Sequence, residues 1–223
     1  MNRHDQYRQF VQERKACTAC NGLTNAAEID GGINDSDRIG PYSRWQGNLD
    51  AELMVVAQDF ADVERFRRVR GWPDEHAGTN LRLVELLAEA GITIEAPCAG
   101  MSEDRVFFTN AVLCMKRKDT TIPKDCFRRC GERFLRPMIE LVAPQIVVTL
   151  GGGALQATCH AFGHHPPRRL ADAATNPIRL NPKSVLMPLY HPSGRVFNRY
   201  RSMENQRQDW RRVRQLLARP LMC

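Results

Sequence analysis

Four short apolar runs constrain this chain most: 52–58 (ELMVVAQ), 105–114 (RVFFTNAVLC), 145–150 (QIVVTL) and 184–191 (SVLMPLYH). Each is too brief for a buried helix, and none alternates apolar with polar as a strand with one wet face does. Such runs need cover on both faces. Helical patterns lie between them: 80–92, 125–143 and a stretch from about Ala154, with 4–16 and 204–218 at the two ends. In 80–92, Leu81, Val84, Leu87 and Ala88 form one apolar stripe and Gly91 is the stop signal. In 4–16, Tyr7, Phe10 and Val11 lie at helical spacing, and in 204–218 Trp210, Val213, Leu216 and Leu217 point inward. Strands alternating with helices predict an α/β fold, a three-layer αβα sandwich around a central four-stranded parallel sheet. The 223 residues suit one domain spanning 1–223. The Gly-, Asn- and Asp-rich text of 21–50 reads as a long surface loop.

Ligands of such sheets bind at the carboxyl ends of the strands. There the chain places Gln58 and Asp59, then Asn110, then 151–153 (GGG), then His191 followed by Pro192, Ser193 and Gly194. An Asp after a strand is often a turn former or helix cap, but on stiff backbone it can also orient a water. An Asn is often a turn residue, yet its amide carries both a donor and an acceptor and can read the edge of a base. A His held by a following Pro can donate to an oxygen on which charge develops. Each group alone has a plain structural reading; the functional reading rests on the set.

Charge narrows the partners. Thirty-two Lys and Arg against 25 Asp and Glu give a net charge of +7, an excess that favours acidic partners such as nucleic acid. The first seventeen residues lack the apolar core of a signal peptide, and no stretch reaches about 18 apolar residues, which predicts a soluble, intracellular protein with no membrane partner. Eight cysteines in that setting are better ligands or core fillers than disulfides. Cys17 and Cys20 form a C-x2-C pair, and Cys114 and Cys130 complete a four-thiolate set, with Cys126 the rival fourth member one helical turn from Cys130. Spacing alone leaves zinc and an iron–sulfur cluster both open. Cys98, Cys159 and Cys223 stand outside the set.

The strand-end segments together resemble the uracil-DNA glycosylase superfamily. AQDFA (57–61) resembles the first motif of its family-1 enzymes, FFTNAVLC the asparagine-bearing strand, VVTLGGGA the strand and glycine turn, and HPSG the second active-site motif. The cysteine spacing is similar to that of the family-4 enzymes, as are GWPDEHAG and LLAEAGI. The resemblance implies a structural 4Fe-4S cluster on Cys17, Cys20, Cys114 and Cys130, and a monomer that acts on uracil-containing DNA at the nucleoid and leaves an abasic site. It assigns Asp59 to the attacking water, Gln58 to a backbone contact with a uracil carbonyl, Asn110 to the O4 and N3 edge, and His191 to the charge on O2. Phe60 or Trp72 would stack on the base, with Phe60 preferred. Ala61 replaces the tyrosine that excludes thymine, which leaves open a broader deaminated-base glycosylase acting on hypoxanthine or mismatched thymine. A non-catalytic binder of uracil or abasic DNA is the other alternative. Ser193, Gly194, Arg195 and Arg199 would meet DNA, with arginine where the family-1 loop carries a leucine; Arg201 is a further candidate for a phosphate.

Overall fold

The computed structural model describes residues 2–41, 47–74, 76–94, 105–174 and 176–219. Cys98 and Cys223 lie outside them. In chain order the elements are α1 (Arg3–Lys15), β1 (Leu23–Thr24), β2 (Leu53–Ala57), α2 (Val63–Arg68), α3 (Gly78–Glu89), β3 (Val106–Asn110) and β4 (Met115–Lys116). They continue with α4 (Lys124–Cys130), α5 (Arg136–Val142), β5 (Ile146–Leu150), α6 (Gly152–Ala161), α7 (Leu170–Ala173), β6 (Ile178–Asn181), β7 (Ser184–Leu189), α8 (Gly194–Arg199) and α9 (Met203–Leu217).

The central sheet has five strands in the order β3-β2-β5-β7-β6, not the four expected. The four expected strands are parallel to one another, and β6 joins β7 antiparallel at the edge. Its sequence, IRLN, carries Arg179 and Asn181 because an edge strand keeps one side wet. Residues of β2, β3 and β5 are buried throughout, which is why their text is apolar without alternation.

Two apolar layers cover the sheet. On one face Met54, Val56, Phe107 and Val147 pack with Val11 of α1, Phe134, Met138 and Ile139 of the long central helix, and Leu155 of α6. On the other, Val55, Ala57, Phe108 and Val148 pack with Leu83, Leu86 and Leu87 of α3 and with Trp210 and Val213 of α9. A side chain's parity along its strand therefore tells which layer it faces.

The buried face of α3 differs from the expected stripe. It is formed by Asn80, Leu83, Leu86 and Leu87, while Leu81 is 56% and Val84 37% exposed. Six apolar residues spread around this helix, so periodicity alone does not choose a face; Asn80 does, because its Nδ2 donates to the Asp74 carbonyl at 2.8 Å. Gly91 ends the helix at φ +77° as its stop signal requires. The run 124–142 is continuous but passes through a π-helical turn at Gly131–Leu135 ahead of Pro137, which has no N–H for a regular turn. At Gly131 a Cβ would lie 3.3 Å from the Ala157 carbonyl, so the glycine lets this helix approach α6 closely.

The segment 21–50 is more than surface loop. Ile29, Ile39 and Leu49 are buried, and Arg14, itself 1% exposed, gathers the segment through Asp35 at 2.6 Å and the carbonyls of Ser36 and Arg38 at 2.7 and 2.8 Å. A buried arginine is tolerable when most of its donors are met in this way; here Nη1 and Nη2 are, while Nε has no partner among the described residues. Among the described residues, no helix is long and apolar enough to cross a membrane.

Candidate active site

The carboxyl ends of β2, β3 and β7 enclose the strand-end residues. Beyond Ala57 the chain turns through Gln58 to Ala61, and Asp62, not Asp59, caps α2 by accepting from the Arg65 N–H at 2.8 Å. Asp59 is thus free of the capping role. Its Oδ2 accepts from Lys116 Nζ at 3.0 Å and its Oδ1 from Gln58 Nε2 at 2.9 Å. The Asp59 side chain is 10% exposed, so these donors act on a mostly desolvated carboxylate. A carboxylate offers about four acceptor positions, which leaves room for a water.

Gln58 reaches Asp59 because residue 153 is glycine. A Cβ there would stand 2.2 Å from Gln58 Oε1. The Gln58 side chain consequently lies toward α6, while its main-chain carbonyl accepts from Val112 at 3.0 Å.

Asn110 closes β3 in register with Ala57. It shares parity with Val106 and Phe108, so it faces the same layer as Ala57. It is 2% exposed, and neither Oδ1 nor Nδ2 has a hydrogen-bond partner among the described residues. Leaving one buried polar atom unpaired costs about 1–3 kcal/mol, and Asn110 leaves two. A buried amide with both atoms open is a group waiting for a ligand with a donor and an acceptor side by side.

His191 follows β7. Burial pushes its pKa below the usual 6.5, and the nearby Asp59 charge partly opposes the shift. The imidazole is therefore neutral near pH 7, with one N–H to donate. Arg82 braces the turn behind it, giving Nη1 to the carbonyls of Pro192 at 3.1 Å and Gly78 at 2.7 Å. Asp59, Phe60, Ala61, Asn80 and His191 line one open cleft of about 470 Å³.

Of the two aromatic candidates, Phe60 lines this cleft, edge-on to Phe66 at 6.0 Å. Trp72 lies in a separate groove beside Tyr7, Lys15 and Arg38. Past the cleft, Ser193 precedes α8, which opens with Gly194 and presents exposed Arg195 and Arg199. Arg201 is otherwise engaged: it holds the buried Asp209 through two bonds of 3.0 and 2.7 Å. Lys116 and Arg82 were not legible as site residues. Lys116 stands in a basic run that reads as a wet surface, and only the six-residue step from Asn110 hints at it.

Cys17, Cys20, Cys114 and Cys130 line a small hollow together with Arg14, Val112 and Phe134. The pairing of Leu23 with Lys116 and of Thr24 with Met115 brings the C-x2-C turn beside Cys114. Cys126 is buried against Cys20 and hydrogen-bonded to it, one turn from Cys130. Burial and the neighbouring sulfurs push the thiols of Cys20 and Cys114 up to about 12, and burial raises Cys130 as well. Thiolates here would therefore need a cation to balance them. Among the described residues no three His, Cys, Asp or Glu side chains converge closely enough for a single metal ion. The residues that line the hollow include four cysteines and no carboxylate or imidazole, a soft donor set whose chemistry fits an iron–sulfur group.

A family model described as the uracil DNA glycosylase superfamily matches residues 45–217, which include every strand-end residue named above. A type-4 uracil-DNA glycosylase of Thermotoga maritima is 27% identical over 200 residues, covering 89% of this chain and 88% of that one.

Proposed function

The chain belongs to the uracil DNA glycosylase superfamily, and on that premise we propose that it excises uracil from DNA by hydrolysing the N-glycosidic bond, leaving an abasic site. The observation that carries the reading is Asn110, whose open amide donor and acceptor match the O4 acceptor and N3–H donor of uracil, on the side of the sheet where Asp59 and His191 line the cleft.

The nucleotide leaves the stack to enter the cleft, because its sugar carbon is out of reach within a duplex. Phe60 stacks on the base, and the main chain at Gln58 meets a carbonyl. The C1′–N1 bond breaks with its electron pair passing to the base, and the neutral His191 N–H donates to O2 as negative charge gathers there. Asp59, held by Lys116 and Gln58, orients a water whose oxygen bonds C1′ and whose proton the carboxylate accepts. Ser193 and Gly194 offer backbone to the DNA, and Arg195 and Arg199 offer charge to its phosphates.

Cys17, Cys20, Cys114 and Cys130 would hold a 4Fe-4S cluster, which braces the fold and takes no part in the reaction. The protein acts as a monomer inside the cell. Iron and sulfide analysis with the visible spectrum tests the cluster; a colourless protein with one zinc per chain contradicts it.

A wider substrate range has its own support. Ala61, which stands where the family-1 enzymes carry the methyl-excluding tyrosine, lines the cleft with only a methyl group, and this supports room for a thymine methyl or a purine. Excision assays on duplexes carrying uracil, hypoxanthine or mismatched thymine separate the readings. Release of uracil is the expected result; tight binding of uracil and abasic DNA without any release would make the protein a binder instead.

A further inference from the structure

We propose that a basic groove on the opposite face of the sheet from the cleft carries the DNA strand leading away from the flipped nucleotide, an inference that rests on the glycosylase reading above. The groove has a volume of about 650 Å³ and is lined by Gln58, Lys116, Lys124, Phe127, Arg128 and Gly153. Phe127 and the neighbouring Ala157 belong to the apolar layer of α1 and α6, whereas the cleft opens over the layer of α3 and α9. Among the described residues the two sites meet at Gln58–Asp59 and Lys116.

Charge favours a polyanion. Residues 116–129 hold six basic and two acidic side chains, so 6 − 2 = +4 of the chain's net +7 is concentrated in fourteen residues. Asp125 is neutralised by Arg129 at 3.1 Å, and among the described residues Arg128 pairs with the exposed Glu132 at 3.5 Å, a pair that a phosphate displaces at little cost. Arg117, Lys118 and Lys124 are exposed and form no ion pair among the described residues.

Shape and continuity favour a nucleic-acid strand over an acidic protein. The groove continues from the carboxylate that would meet the sugar, since Gln58 and Lys116 both line the groove and bond to Asp59. Phe127 and Ile122 add apolar surface on which a sugar or base can rest.

The test reads binding, with uracil release measured beside it. A fluorescein-labelled single-stranded oligonucleotide with one central uracil is titrated across a salt series against the wild type, the Lys124→Ala/Arg128→Ala variant and the Lys183→Ala control. Lys183 is exposed at the amino end of the sheet, between β6 and β7. The double variant is expected to bind at least tenfold more weakly at low salt, with a salt slope shallower by about 0.7 per lost phosphate contact, while the control matches the wild type. Equal affinity and slope in the double variant and the control would overturn the proposal. A wild type that binds through the groove yet releases no uracil defeats the glycosylase reading alone; one that releases uracil with an indifferent double variant defeats the groove alone.

Discussion

Lys116 Nζ lies 3.0 Å from Asp59 Oδ2, across 57 residues of chain. The lysine sits on β4 and the aspartate on the turn after β2, so the small β1–β4 sheet that gathers the cysteines also sets the direction of the carboxylate. Replacing Lys116 with Met removes one charge-assisted hydrogen bond, worth about 1.5–3 kcal/mol, from the carboxylate's fixed geometry. Single-turnover excision should fall about ten- to a hundredfold with little change in KM, and Lys116→Arg should recover part of the loss. A Met variant with the wild-type rate would show that Asp59 is held some other way.

Asn110 should trade stability for activity. Its two unpaired amide atoms are a cost in the free protein, so Asn110→Leu, of similar volume, is expected to leave thermal stability unchanged or raise it, by up to about 1–3 kcal/mol. Uracil release should drop by orders of magnitude in the same variant. A clear loss of melting temperature would mean that the amide is satisfied and structural.

Gly153 makes a comparable link from further away. In Gly153→Ala the new Cβ meets the far end of the Gln58 side chain, which can swing aside, so stability should change by less than about 1 kcal/mol. Excision should nevertheless fall, because Gln58 then leaves Asp59 Oδ1. Circular dichroism melting beside single-turnover assays checks both halves.

His191 sets the acid side of the pH profile. Its folded pKa lies below the unfolded value of about 6.5, so between the two values the unfolded chain binds the extra proton. Stability from the neutral imidazole is fully present above pH 6.5 and is lost as pH falls from 6.5 toward the folded pKa. Because the Asp59 charge raises that pKa, Asp59→Asn should move the His191 titration to still lower pH, as NMR of the imidazole can follow. An upward shift would contradict the proximity of the two groups.

The frame of this fold is legible in the sequence where burial is two-sided. Leu53–Ala57 and Ile146–Leu150 must be apolar at every position, and a five-residue apolar run has few other homes. β6 escaped because Arg179 and Asn181 carry an edge strand's wet side, and the face of α3 escaped because a polar residue, Asn80, selects it. Asp59, Asn110 and His191 were readable because each interrupts or ends an apolar run. Lys116 was not, since nothing local distinguishes a lysine that reaches 57 residues back from one that faces water. Cys126 and Cys130 share a helix turn, and only the tertiary approach of Leu113, whose N–H meets the Cys130 sulfur, and of Cys20, which bonds Cys126, separates their settings.

The central claim is tested most directly by incubating excess protein with an oligonucleotide containing one uracil, cleaving with alkali, and comparing the wild type with Asp59→Asn. Wild-type protein should give a single alkali-labile break at the uracil and free uracil in solution, and Asp59→Asn should give neither on the same timescale while still binding the DNA. An uncleaved oligonucleotide with the wild-type protein, or equal cleavage by both, would contradict the account.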